Sequence, residues 1–172
     1  TWINVDGIKK SEVEKLCSLY GVHHLLVEDI ISIGQRPKME DAGEVIFCLL
    51  PMLYYNINTG EIESEQVSIL LGKDFVISFQ EDPKRDVFDP VRTRLMNPGT
   101  GMRVAALDYL VYRLIDVMVD NYFLVMEKLG DRIEALDEAI VGGAGHSVLH
   151  SIYALKQESL LLRRSVWPLR EV

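Results

Sequence analysis

Val45-Ile46-Phe47-Cys48-Leu49-Leu50-Pro51-Met52-Leu53-Tyr54-Tyr55 is a run of strand-forming side chains, and two more such runs follow it, Glu65 to Leu71 and Phe75 to Phe79. Asn56 to Gly60 and Gly72-Lys73-Asp74 supply the turn chemistry between them. Three consecutive strands on tight turns predict an antiparallel meander. Upstream, Trp2-Ile3-Asn4-Val5 reads as a further short strand.

Helical spacing surrounds this sheet. Ser11, with Glu14 three residues on, has the form of a capping box ahead of Val13, Leu16, Leu19 and Tyr20, which predicts a helix capped by Ser11 and ended at Gly21. Leu25 to Ile31 predicts a second short helix with Leu26, Ile30 and Ile33 facing inward, stopped before Gly34 and Pro37. Asp89-Pro90 has the order of an N-cap followed by the first helical position, and Asn97-Pro98-Gly99 ends the helix that follows.

From Leu107 the apolar residues step by threes and fours through Val111, Leu114, Met118, Tyr122, Val125, Leu129, Ile133, Leu136 and Ile140. Their mean spacing lies close to the roughly 3.67 residues per turn of an 11-residue repeat, so a long, nearly straight helix of roughly 50 Å is expected. Gly142-Gly143-Ala144-Gly145 breaks it, and Ser147 is placed to cap another helix carrying Val148, Ile152, Leu155, Leu162, Val166 and Leu169. Two long helices on a short Gly-rich loop are expected to lie antiparallel. The expected fold is therefore α/β, an αβα sandwich with a central mixed sheet, helices on both faces and a long helical hairpin. Residues 1–101 form the sandwich, 102–141 the long acidic helix and 142–172 the start of the next.

The chain has 172 residues, 48% of them hydrophobic, enough for a real core. Twenty-six acids against 18 bases give a formal net charge of -8, which argues against a nucleic-acid partner. Cys17 and Cys48 each fall in an apolar periodic segment, as buried reduced thiols do, favouring a reducing compartment. No segment approaches the roughly 18 uninterrupted apolar residues of a membrane span, and Thr1 opens no cleavable leader. Helical spacing runs into Val172 without a Gly or Asn cap, so the sequence reads as part of a longer protein.

Catalytic signals are thin, and the chain does not read as an enzyme. Gly72-Lys73 sits in a strand turn without the spacing of a phosphate loop, and no Ser, His and acid constellation occurs. His23 and His24 flank a helix start, where local hydrogen bonding is the expected role. His146 and His150, four apart, have the minimal geometry of a two-imidazole zinc or nickel pair but lack a third ligand nearby. A soluble α/β ligand- or nucleotide-binding enzyme domain stands as the alternative of another class.

The acids are more informative. Between Ala105 and Val141 lie Asp108, Asp116, Asp120, Glu127, Asp131, Glu134, Asp137 and Glu138, against Arg113, Lys128 and Arg132. Asp116 and Asp120, Glu127 and Asp131, and Glu134 and Glu138 stack like charges one turn apart, costing a few tenths of a kcal/mol per pair. One reading is a solvated face. The other is an exposed row of oxygen ligands for a hard cation such as Mg²⁺, which keeps most of its water and needs only one or two carboxylates.

His24-Leu25-Leu26-Val27-Glu28-Asp29-Ile30, Gln35-Arg36-Pro37-Lys38, Phe79-Gln80-Glu81, Phe88-Asp89-Pro90-Val91-Arg92, Asp108-Tyr109-Leu110 and Trp167-Pro168-Leu169-Arg170-Glu171 occur in that order along the chain. Together they resemble the soluble cytosolic domain of the CorA family of divalent-cation transporters. The resemblance implies a homopentamer at the cytoplasmic face of the inner membrane, with each domain joined by a stalk helix to pore helices outside this sequence. It also implies that Mg²⁺ bound between neighbouring domains favours the closed pore, with Co²⁺ or Ni²⁺ as further ions. One side of that regulatory site comes from acids matching Asp86-Val87-Phe88-Asp89-Pro90, so the role falls on Asp89, with Asp86 as second choice; helix capping is the competing role for Asp89. A further acid comes from the region of Asp116, Asp120 and Asp131. The resemblance also places Trp167 and Pro168 inside a continuing stalk helix. The zinc-transporting branch shares this architecture, and nothing in this segment selects the ion carried.

Overall fold

A computed structural model describes residues 1–142 and 146–171. Five strands form one mixed sheet in the order β1-β5-β4-β3-β2, comprising β1 (Trp2–Asp6), β2 (Lys38–Asp41), β3 (Val45–Asn56), β4 (Glu61–Gly72) and β5 (Val76–Gln80). Strands β3, β4 and β5 make the expected meander, and β1 pairs with β5 in parallel, Trp2 opposite Val76 and Asp6 opposite Gln80. Strand β2 was not expected. Lys38-Met39-Glu40-Asp41 has little intrinsic strand preference and takes its form from β3, where Met39 lies opposite Cys48.

Alternation along the strands divides the core. Phe47, Leu49, Leu70, Ile77 and Phe79 point to one face, where α1 (Lys10–Leu19) and α2 (His24–Ile31) cover them with Val13, Cys17, Leu26 and Ile30. Cys48, Leu50, Met52, Val67 and Ile69 point to the other, under α3 (Asp89–Met96) and α4 (Leu107–Val141), which bring Phe88, Val91, Leu114 and Met118. Beyond the sheet, Tyr122, Val125 and Leu129 of α4 meet Leu155 of α5 (His146–Val166) and the strand residues Leu53 and Ile62. The Tyr122 hydroxyl donates to the Pro51 carbonyl and fixes the height of α4 on β3.

Several local expectations are corrected. Helix α1 begins at Lys10 with Lys9 as its N-cap and no capping side chain, because the Lys9 carbonyl already accepts from the N–H groups of Glu12 and Val13 and leaves Ser11 inside the first turn. Asp89 is likewise the first residue of α3 rather than its cap; Phe88 takes that place, its ring wholly buried, while Asp86 accepts from the Phe88 N–H at 2.8 Å. Ile33, Ile133 and Ile140 are 64%, 44% and 49% exposed, so the inward stripes of α2 and α4 end sooner than their spacing implies. The α-helix over His146–Val166 does not continue through Pro168: residues Trp167–Glu171 tighten into a 3-10 turn, as a proline without an N–H favours. The proposed cap Ser147 and the His146 imidazole lie outside the described side chains.

Candidate functional site

The acids singled out by the sequence lie in two places. At the start of α3, Asp86 and Asp89 share one cation. Asp86 forms an ion pair with Arg92 and is only 17% exposed; Asp89 is 87% exposed, with Oδ1 3.0 Å from Arg92 Nη1. Burial works to lower the Arg92 pKa, but the hydrogen bonds to Asp86 and Asp89 outweigh it and the guanidinium is held still more firmly charged. Arg92 also lies 5.6 Å from the centroid of Trp2, whose ring meets Phe88 edge-on at 6.2 Å. One guanidinium thus serves two carboxylates and leaves the cluster with a single negative charge, so a metal ion binding there has to compete with Arg92.

Along α4 the three candidate acids differ. Asp116 is held by Arg113 at 2.7 Å and Asp131 by Lys128 at 3.0 Å, both one turn away on the same helix. Asp120 is exposed and has no hydrogen-bond or ion-pair partner among the described residues, and the same holds for Glu127 and Glu134. Asp120, Glu127 and Glu134 recur every seven residues along the helix and all three are exposed; of the three, Glu127 lies within the electrostatic reach of Lys128. Among the described residues no three His, Cys, Asp or Glu side chains come together as a metal-binding group. Asp86 and Asp89 are brought together with each other; neither is brought to the α4 acids.

An open groove of about 650 Å³ runs between α1 and α2, with Val22, Val27 and Ile31 on its floor and Glu14, His24 and Glu28 among its rim residues. The reading of the sequence gave none of these a site role, since Glu14 and Glu28 are not spaced as a motif and meet only through packing of the two helices. His23 is used locally, its Nδ1 accepting from the Leu25 N–H at 3.3 Å.

The ordered motifs turn out to be largely structural. The Gln35 and Gln66 side-chain amides both donate to the Asp29 carbonyl at 3.2 Å, Lys38 pairs with the Asp29 carboxylate at 2.6 Å, and Glu81 accepts from the Gln66 N–H at 2.6 Å. These contacts tie the end of α2 and the start of β2 to the middle of the sheet. Glu65, 3% exposed, accepts from the Asp82 N–H at 3.1 Å; burial pushes its carboxyl up to about 7 despite that hydrogen bond.

A family profile described as "CorA-like Mg2+ transporter protein" matches residues 1–172. The chain belongs to the CorA family. It is 42% identical over 173 residues to the cobalt/magnesium transport protein CorA of Thermotoga maritima, a match covering 100% of this chain and 49% of that protein. The chain thus spans about half the length of that relative. Its fold matches the soluble domain of CorA from Methanocaldococcus jannaschii with a TM-score of 0.82 at 16% identity, covering 99% of this chain and 67% of that one. It also matches the ZntB cytoplasmic domain from Vibrio parahaemolyticus with a TM-score of 0.66 at 14% identity, covering 97% and 64%. The expected fold class is thereby met: this CorA-family chain has the mixed five-stranded sheet and long C-terminal helices of the CorA soluble domain. Among the described residues no helix is long and apolar enough to cross a membrane.

Proposed function

We propose that this chain is the cytosolic regulatory domain of a CorA-type Mg²⁺ or Co²⁺ transporter, working as a homopentamer at the inner face of the membrane and sensing divalent cations at acids between copies. The observation that carries the reading is the row Asp120, Glu127 and Glu134, exposed on α4, with Asp120 and Glu134 lacking a hydrogen-bond or ion-pair partner among the described residues and Glu127 met only by the charge of Lys128, which Asp131 already engages. Facing a second copy, such a row repels. A divalent cation that bridges it binds the assembled, closed arrangement better than the open one, and differential affinity of this kind shifts the balance of states. Mg²⁺ suits the role because it retains most of its water and takes only one or two carboxylates.

Asp120 is the first candidate ligand, with Asp116 and Asp131 able to join once they release Arg113 and Lys128. Asp89 and Asp86 take part if Arg92 swings away. The identity to a cobalt/magnesium transport protein favours Mg²⁺ or Co²⁺ over the zinc reading. The test is Asp120→Asn in the full-length protein. Its protection from proteolysis by Mg²⁺ should need a several-fold higher concentration, and protection at the unaltered concentration counts against the site.

A further inference from the structure

The main-chain pairing of β5 with β4 ends at Ser68 and Phe79, and beyond it two carboxylates take over from the backbone. Glu81 accepts from the Gln66 N–H at 2.6 Å, and Glu65 accepts in return from the Asp82 N–H at 3.1 Å. This reciprocal bracing sets the two side chains next to each other. Both line a pocket of about 120 Å³, together with Ile33, Leu49, Pro51 and Gln66.

Oxygen is what the pocket offers. Glu65 is 97% buried, yet its Oε1 has no hydrogen-bond partner among the described residues, and neither Glu65 nor Glu81 has an ion-pair partner among them. Arg85, whose charge reaches Glu65, is spent on Glu63 at 2.7 Å and on Asp82 at 3.3 Å. The neighbouring amides are committed too: the Gln35 and Gln66 side chains donate to the Asp29 carbonyl, and the Gln35 N–H donates to Gln66 Oε1 at 3.3 Å. A carboxylate oxygen withdrawn from water is costly unless a positive charge or a donor meets it. The raised pKa of Glu65, caused first by burial and then by the Glu81 charge, is the mark of a carboxylate short of such a partner.

We propose that Glu65 and Glu81 hold a hard divalent cation, Mg²⁺, within a single copy of the chain, in the pocket where β5 leaves β4. Space and ligand chemistry select the ion. A water takes up about 30 Å³ in the liquid, so the pocket seats an ion with about three waters. Mg²⁺ keeps several waters and binds through one or two carboxylates, whereas Ca²⁺ takes about six to eight oxygen ligands at longer distances. Zinc favours His and Cys, and neither is among the described residues of the lining. Bound there, the ion clamps the middle of β4 to the turn after β5 and stabilises each copy. Both ligands belong to one copy, so the site is independent of the acids of α3 and α4 proposed above to act between copies.

The test uses the full-length protein with isotope-labelled Ile and Leu methyl groups, and Mn²⁺ as a paramagnetic stand-in for Mg²⁺. Mn²⁺ should broaden the methyl signals of Ile33 and Leu49, and excess Mg²⁺ should sharpen them again. Glu65→Gln and Glu81→Gln keep an amide oxygen for the Asp82 and Gln66 N–H groups but remove the charge, so each should raise the Mn²⁺ concentration needed by about tenfold. Glu81 is only half-buried, so Glu81→Gln decides the matter even where Glu65→Gln does not fold. Ile33 and Leu49 signals that keep their width at saturating Mn²⁺, or broadening that persists at the same concentration in Glu81→Gln, overturn the site. Absence of the broadening with Mg²⁺ protection from proteolysis intact removes this site and leaves the sensor between copies standing.

Discussion

Arg132 on α4 forms an ion pair with Glu158 on α5, and the same guanidinium nitrogen donates to the Gly60 carbonyl at 2.8 Å. One side chain thereby ties both long helices to the β3–β4 turn at the place where α4 leaves the sheet. Glu158 is 8% exposed, so Arg132→Ala leaves a buried carboxylate without its partner, and a loss of about 3 kcal/mol is expected. Urea unfolding of the 172-residue chain measures it. Arg132→Met with Glu158→Leu should recover most of the loss, since the uncompensated charge is then gone.

Glu65 gives the domain a pH dependence of known sign. Its folded pKa, about 7, lies above the ordinary value of 4.5, so the folded state holds the proton more tightly than the unfolded chain. Stability from this group is full below about pH 4.5 and falls as pH rises toward 7, by on the order of 2–3 kcal/mol. Glu65→Gln should flatten the fall. The difference between the two proteins' melting temperatures, followed from pH 4.5 to 8, isolates this carboxyl from the others; a constant difference would contradict the assignment.

Asp86 and Asp89 should separate in a stability measurement although both reach Arg92. Asp89→Asn removes an exposed ion pair and is expected to change stability by less than about 0.5 kcal/mol. Asp86→Ala removes the acceptor of the Phe88 N–H and the less exposed half of the pair, at a cost of about 1–2 kcal/mol. Denaturant midpoints of the two variants make the comparison.

Packing requires a glycine at position 72. A Cβ at this position would lie 2.3 Å from the Phe75 ring, which packs on Tyr20 at a centroid distance of 4.5 Å. Gly72→Ala should therefore cost about 1–3 kcal/mol by forcing that ring aside. Gly72→Ala combined with Phe75→Leu, melted alongside the single variant, should recover part of it.

The meander, the short strand β1 and the long helices were legible because each rests on a dense local signal: β-branched and aromatic runs, Gly-rich turns, and sustained helical spacing; the parallel pairing of β1 with β5 is a long-range contact that no local signal carries. Strand β2 was not, because Lys38 to Asp41 become a strand only by pairing with Ile46 to Leu49. Caps shifted by a residue or two where a backbone carbonyl or a buried ring, such as Lys9 or Phe88, settled the helix start in place of the side chain that composition favours. Ile133 and Ile140 misled for another reason. They also continue the exposed seven-residue series Tyr112, Val119 and Met126, and spacing alone assigns such residues to either series. For the candidate acids the sequence shows positions but not partners: that Arg92, Arg113 and Lys128 engage Asp86, Asp89, Asp116 and Asp131, leaving Asp120 without an ion-pair partner among the described residues, is visible only in three dimensions.

The two cysteines lie on opposite sides of the sheet, Cys17 on the buried face of α1 and Cys48 on β3 beneath α4, and burial pushes each thiol up to about 11. So little thiolate exists at neutral pH that an alkylating reagent waits for the protein to open. The rate at which each sulfur is modified then serves as a clock for the breathing of its own helical layer, and one mass-spectrometric time course reads both clocks at once.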